Sequence, residues 1–298
     1  MVSKEFTRIY KVLSGRKKVG YTPTLEEQRA NLDLIAAMAK KDDDMQINQI
    51  DAGGCPAEWI STNDSTENRA VLYLHGGGYV AGGPHTHRGI ATRLSRLIKG
   101  RTLLLDYRLA PENPFPAGLE DCINAYKWLI NSEGIAPKNI IIAGDSSGGG
   151  LTIATQLKLK EENIPLPRIT ICISPWIDLT LTSNAFKNNA EIDPFLTPEL
   201  LISASKWYYG ENDPKDPFIT TLYGALQGLP PILITVGTQE LLYDDAVHLA
   251  ERAKEAGVEV VLEIFKDMIH VFQAFIGFFP EAQEGMDKIG EFIKKYFE

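Results

Sequence analysis

Two short stretches of the chain carry the residue types that acyl-transfer chemistry needs. The first is Ile140-Ile-Ile-Ala-Gly-Asp-Ser-Ser-Gly-Gly-Gly150, in which Gly144-x-Ser146-x-Gly148 directly follows an apolar run and opens a helical one. A strand that turns at once into a helix presents the central side chain on a tight corner, where only glycine leaves room two residues to either side. The new helix then aims its first amides at a site where negative charge can develop. A phosphate-binding turn is the competing reading, but the stretch lacks the lysine of a phosphate loop and the spaced glycines of a dinucleotide fingerprint. The second stretch is Val71-Leu-Tyr-Leu-His75-Gly76-Gly77-Gly78-Tyr79. Three consecutive glycines after a strand let backbone amides approach an oxyanion without side-chain interference, although a flexible strand-end turn would read the same way.

A serine hydroxyl needs a base to take its proton, and the chain offers five histidines. His75 opens the glycine loop and reads as structural. His85 and His87 lie near a helix start and read as surface or cap-facing, and His248 sits on an amphipathic helix. His270 follows the last apolar run, in a loop at the strand ends, and comes after the serine, so it is the expected base. The carboxylate that orients it should end the strand in between. Glu240, three residues past Gly237, is favoured; Asp244 and Asp245 fall at the next helix start, where capping explains them.

The elements that must position these residues follow from periodicity. Apolar runs rich in Ile, Val and Leu occur at Val71–Leu74, Thr102–Leu105, Asn139–Ala143, Arg168–Ile173, Ile232–Val236 and Val258–Phe265. They barely alternate, as strands covered on both faces should. Helical stretches separate them, around His87–Ile98, Leu119–Ile130, Ser147–Lys160, Asp244–Ala256 and Pro280–Phe297. Gln46–Asp51 and Ala57–Ser61 read as an antiparallel hairpin at the sheet edge, turning at Gly53-Gly54. The expected fold is α/β, a mainly parallel sheet with helices on both faces. Residues 46–180 and 227–298 would form its core. Residues 1–45, helical with Leu25, Leu32, Ile35 and Met38 on one face, and the proline- and aromatic-rich residues 181–226 would form a helical cap over the site. Asp193-Pro-Phe195 or Trp207-Tyr-Tyr209 would turn aromatics toward Ser146.

Composition bounds the partners. The chain of 298 residues is 44% hydrophobic and 23% charged, with 30 Lys and Arg against 39 Asp and Glu, a net charge of -9. Such a balance argues against nucleic acid. Three scattered cysteines, Cys55, Cys122 and Cys172, suit free thiols in the cytoplasm rather than a disulfide framework. No apolar run is long enough to span a membrane. No cofactor or metal is called for, the partner expected is a small-molecule ester, and a homodimer is left open.

The same residues resemble the hormone-sensitive-lipase family of α/β-hydrolases, especially its bacterial carboxylesterases. The resemblance rests on His75-Gly-Gly-Gly78, Asp106-Tyr-Arg-Leu-Ala-Pro-Glu112, Phe115-Pro-Ala117, Gly144-Asp-Ser-Ser-Gly-Gly149, Ser174-Pro-Trp-Ile-Asp178, Gly237-x-x-Glu240-x-Leu-x-Asp244 and Asp267-Met-x-His270. It implies Ser146 as nucleophile, His270 as base, Glu240 as the acid, and the amides of Gly77, Gly78 and Ser147 as oxyanion donors. It also implies hydrolysis of short-chain esters through an acyl-enzyme. Two positions depart from the common pattern: Glu240 stands where most relatives carry Asp, and Ser147 where many carry Ala. A lipase on longer chains and a non-catalytic receptor on the same fold are the competing functions; the full triad disfavours the receptor.

Overall fold

The six apolar runs and the two arms of the edge hairpin become the eight strands of one layer. In the computed structural model, which describes residues 2–15, 20–37 and 42–297, these are β1 (Gln46–Asp51), β2 (Pro56–Ser61), β3 (Ala70–Leu74), β4 (Arg101–Leu105), β5 (Ile140–Asp145), β6 (Ile169–Ile173), β7 (Ile232–Gly237) and β8 (Val260–Phe265). They pair in the order β1-β2-β4-β3-β5-β6-β7-β8. β1, β2 and β4 are antiparallel neighbours, and the pairs from β4 across to β8 are parallel. The edge hairpin turns as expected: Gly53 and Gly54 have φ of 74° and 95°, and the Asp51 carboxylate accepts the Gly54 N–H at 2.6 Å.

The helices are α1 (Lys4–Ser14), α2 (Leu25–Ala37), α3 (Pro84–Ile98), α4 (Ala117–Asn131), α5 (Ser147–Glu161), α6 (Ala185–Asn188), α7 (Pro198–Tyr209), α8 (Tyr243–Glu255) and α9 (Pro280–Phe297). The period-2 geometry of the strands sorts their side chains to two cores. Leu72, Leu74, Ile140 and Ile142 pack with Tyr126 and Leu129 of α4 and Leu151 of α5. Val71, Tyr73 and Ile141 face the other way, onto Ile90 and Leu94 of α3 and Ile289 and Phe292 of α9. Double coverage explains why β3, β5, β6 and β7 are buried at every residue and read as continuous apolar runs.

From β3 the chain moves outward to β4, then returns to the other side of β3 as β5. Strand order therefore reverses between β3 and β5, the crevice where open α/β sheets bind ligands. His75 and Ser146 directly follow these two strands.

Leu25 and Leu32 of α2 rest half-buried on the first core, as their spacing suggests; Met38 lies outside the described residues. Residues 181–226 carry α6, α7 and a short turn of 3-10 helix at Thr221–Tyr223, and no strand. The three cysteines are free and buried. Among the described residues no helix is long and apolar enough to cross a membrane.

Candidate active site

Ser146 occupies a strained corner. Its φ of 53° and ψ of -123° lie in a region that L-residues rarely adopt, a strain of about 1–3 kcal/mol that the surroundings must hold in place. Its N–H donates to Ile173 O at 2.9 Å, and its carbonyl accepts from Gly149, Gly150 and Trp176 at 3.0, 3.3 and 2.8 Å. A Cβ on Gly148 would overlap the carbonyl oxygens of Leu74 and His75, and one on Gly144 would overlap Gly148 O. Both glycines thus serve the close packing of α5 on β3 and β5. Ser147 is buried at the head of α5, where first-turn amides have no partner within the helix.

The glycine loop curls against this corner. Gly77 and Gly78 have φ of 127° and 66°, and the Gly77 carbonyl accepts from Val80 and Ala81. His75 is fully buried and stacks on Tyr107 with ring centroids 4.2 Å apart, its Nδ1 2.8 Å from Gly76 O. Burial pushes its pKa down to about 3, so the ring is neutral and structural.

Asp145 went unread in the sequence, and His87 was read there only as surface or cap-facing. Asp145 accepts the Tyr73 hydroxyl at 2.7 Å and the Gly76 N–H at 3.0 Å on Oδ1, tying the glycine loop to the serine corner. His87 Nε2 lies 3.4 Å from Asp145 Oδ2. Burial opposes the charge on Asp145, but His87 and Tyr73 outweigh it and its pKa falls below the usual carboxylate value. His87 lines the cavity instead of the surface, while His85 reaches Asp33 of α2 at 2.8 Å as a cap-facing residue should. Two residues apart on a helix is about 200°, so the two rings were bound to face opposite ways.

Glu240 and His270 meet in a hydrogen bond. Glu240 is fully buried; its Oε2 lies 2.7 Å from His270 Nδ1, while Oε1 accepts from the Ser174 hydroxyl at 2.8 Å and the Gly237 N–H at 2.6 Å. Ser174 Oγ also accepts the Val271 N–H at 3.2 Å, holding the loop just past His270. Burial alone would lower the pKa of His270, but the hydrogen bond and charge of Glu240, with Asp193 and Asp145, raise it above the usual value. The helix-capping reading of Asp244 and Asp245 is corrected. Both lie in the first turn of α8, whose N-cap is Leu242 and has no side-chain cap. Asp244 accepts the Ala185 N–H, and Asp245 accepts those of Ile177 and Asp178, so they anchor the 177–185 segment instead.

Ser146, His270 and the glycine loop open on one cavity of about 300 Å³. Its walls are apolar: Ile9, Val12 and Leu13 of α1, Leu32 and Ile35 of α2, Leu200 and Leu201 of α7, and Phe195, Phe275 and Phe278. Of the expected aromatics, Phe195 faces the site. The Trp207-Tyr-Tyr209 run does not: Tyr208 is buried, stacked on Tyr79 with centroids 3.8 Å apart. Phe275, 5.8 Å from Phe195, takes that place. A serine on a strained turn, a carboxylate-held imidazole, a helix head and an apolar chamber are the kinds of part that acyl transfer uses.

Comparison with known proteins agrees. A family model for the alpha/beta hydrolase fold matches residues 71–274. The chain is 36% identical over 265 residues to an esterase of Acinetobacter venetianus, covering 89% of this chain and 87% of that one. It is 36% identical over 245 residues to an acetyl-hydrolase of Streptomyces hygroscopicus, covering 82% and 81%. A solved esterase from the bacterial hormone-sensitive lipase family superimposes over 100% of both chains with a TM-score of 0.95 and 41% identity. A hormone-sensitive lipase from a metagenome library does so over 100% of both with a TM-score of 0.93 and 37% identity. The chain therefore belongs to the α/β-hydrolase fold family, within its bacterial hormone-sensitive-lipase group of esterases.

Proposed function

We propose that the protein hydrolyses short-chain carboxylic esters through a Ser146–His270–Glu240 triad. The observation that carries this reading is the fully buried Glu240 holding His270 Nδ1 at 2.7 Å on the wall of the chamber that Ser146 enters. With Nδ1–H donated to Glu240, the imidazole keeps Nε2 free as a base. His270 takes the proton of Ser146 as Oγ attacks the ester carbonyl, and the amides of Gly77, Gly78 and Ser147 receive the charge that builds on oxygen. The proton passes to the departing alcohol, leaving an acyl-Ser146. Water, deprotonated by His270, then releases the acid.

A cavity of about 300 Å³ supports the short acyl range, since ligand pockets of roughly 300–1,000 Å³ are usual. The acetyl-hydrolase among the relatives points the same way. Residues 1–45 and 181–226 act as the cap that walls this chamber, the remainder as the catalytic core. Three buried free thiols suit a reducing compartment, the cytoplasm.

Ser146→Ala tests the assignment. It should abolish hydrolysis of nitrophenyl butyrate and remove labelling by a serine-reactive phosphonate, with the circular dichroism unchanged. Retained turnover in the folded variant refutes the nucleophile.

A further inference from the structure

Asp193 lies in the 181–226 insertion and is fully buried. Its Oδ1 accepts the N–H groups of Phe195 and Leu196, both at 2.9 Å. A turn-forming aspartate needs no more than these local bonds. Its Oδ2, however, accepts the N–H of Leu241 at 2.9 Å, from a residue 48 positions away and next to Glu240. A few residues earlier, Asn189 donates to the carbonyl of Glu240 itself at 2.7 Å and to that of Thr238 at 3.3 Å. Phe195 and Leu196 line the cavity. One carboxylate thus grips the substrate wall with one oxygen and the loop carrying Glu240 with the other. Three N–H donors converge on it, and only a group that accepts at both ends satisfies them. Its charge also reaches His270.

Resting on the triad reading above, we propose that Asp193 is a positioning residue that holds the Phe195–Leu196 wall and the Glu240 loop in one register, coupling ester selection to orientation of the base. Asn189 completes the grip on the Glu240 side alone. A carboxylate suits this place because any neutral isostere must turn an N–H toward an N–H at one end.

The test is steady-state kinetics of Asp193→Asn and Asn189→Ala on nitrophenyl butyrate and octanoate across pH. The amide at 193 should lower kcat for butyrate about tenfold, the loss expected for one misplaced charge-assisted hydrogen bond. It should also change the butyrate-to-octanoate ratio. The charged groups facing His270 are Glu240, Asp193 and Asp145. Losing one of these anions should move the acid limb of kcat/KM to lower pH. Asn189→Ala should lower kcat for both esters with the ratio, KM and acid limb unchanged. A folded Asp193→Asn enzyme with parental kcat, ratio and acid limb overturns the proposal. Should that variant not fold, parental kcat in Asn189→Ala overturns the grip on the Glu240 loop. Glu240→Gln run alongside separates the two ideas: parental turnover there strikes the triad itself, whatever the 189 and 193 variants do.

Discussion

Exchanging Glu240 for glutamine removes one charge and almost no volume, so its effect reads the carboxylate alone. The amide nitrogen must take the place of one oxygen. At the Oε1 position it would face the Gly237 N–H at 2.6 Å, a backbone donor that cannot invert, and Ser174, whose Oγ already accepts from Val271. The nitrogen therefore turns to the Oε2 position, toward His270 Nδ1 at 2.7 Å. There it can only donate, which forces the imidazole proton onto Nε2 and leaves no base for Ser146. The equivalent exchange in a serine-protease triad costs about 10⁴ in kcat, or about 5 kcal/mol at 1.36 kcal/mol per decade. The residual pH profile should shift as well. Glu240 raises the pKa of His270, so without its charge the acid limb moves to lower pH. The assay is nitrophenyl butyrate turnover from pH 5 to 9, with phosphonate labelling to count intact serines. A Glu240→Gln enzyme within tenfold of the parent refutes the reasoning, and so does a greater loss in folded Asp244→Asn.

Three further outcomes follow from the geometry. Phe195→Ala and Phe275→Ala should raise the octanoyl-to-butyryl ratio of specificity constants about tenfold, whereas Trp207→Ala should leave it unchanged; equal ratios throughout would move selectivity to α1 and α2. Gly148→Ala drives a methyl into the carbonyls of Leu74 and His75 and should cost about 3 kcal/mol, read from the urea midpoint; a parental midpoint contradicts this packing. Burial, with the charges of Asp178 and Asp244, pushes Asp245 up to about 8 against the pull of the Ile177 and Asp178 amides. The native state then binds more protons than the unfolded one, where the carboxyl titrates near about 3.9. Its stabilising contribution is full below that value and is lost as pH rises through about 8. Asp245→Asn keeps an oxygen for both amides and should flatten the fall in Tm between pH 5 and 9; parallel curves in parent and variant would count against it.

Much of this was legible because the sheet core is written in continuous apolar runs. The strand segments and the Gly53-Gly54 hairpin came from composition and period, and the serine corner from glycines that tight packing demands. What stayed hidden depends on direction in three dimensions. Sequence spacing separates His85 from His87 but does not say which ring meets Asp145. First-turn carboxylates look like caps, yet Asp244 and Asp245 spend their oxygens on distant amides. Aromatics in the insertion all look alike, and Tyr208 is drawn into the core by Tyr79 while Phe275, outside the insertion, faces the chamber.

The chamber joins parts of unequal tenacity. The serine corner hangs on β3, β5 and β6, which are buried at every residue. The opposite wall belongs partly to α1, with Phe6 and Leu13 as its buried residues, and α2, with Gln28. Elements with so little buried surface open at free energies far below that of the whole fold. On warming, the chamber should therefore widen well before the molecule melts. Discrimination among esters would fade first and turnover last, so a bulky ester refused in the cold becomes a substrate while the protein is still folded.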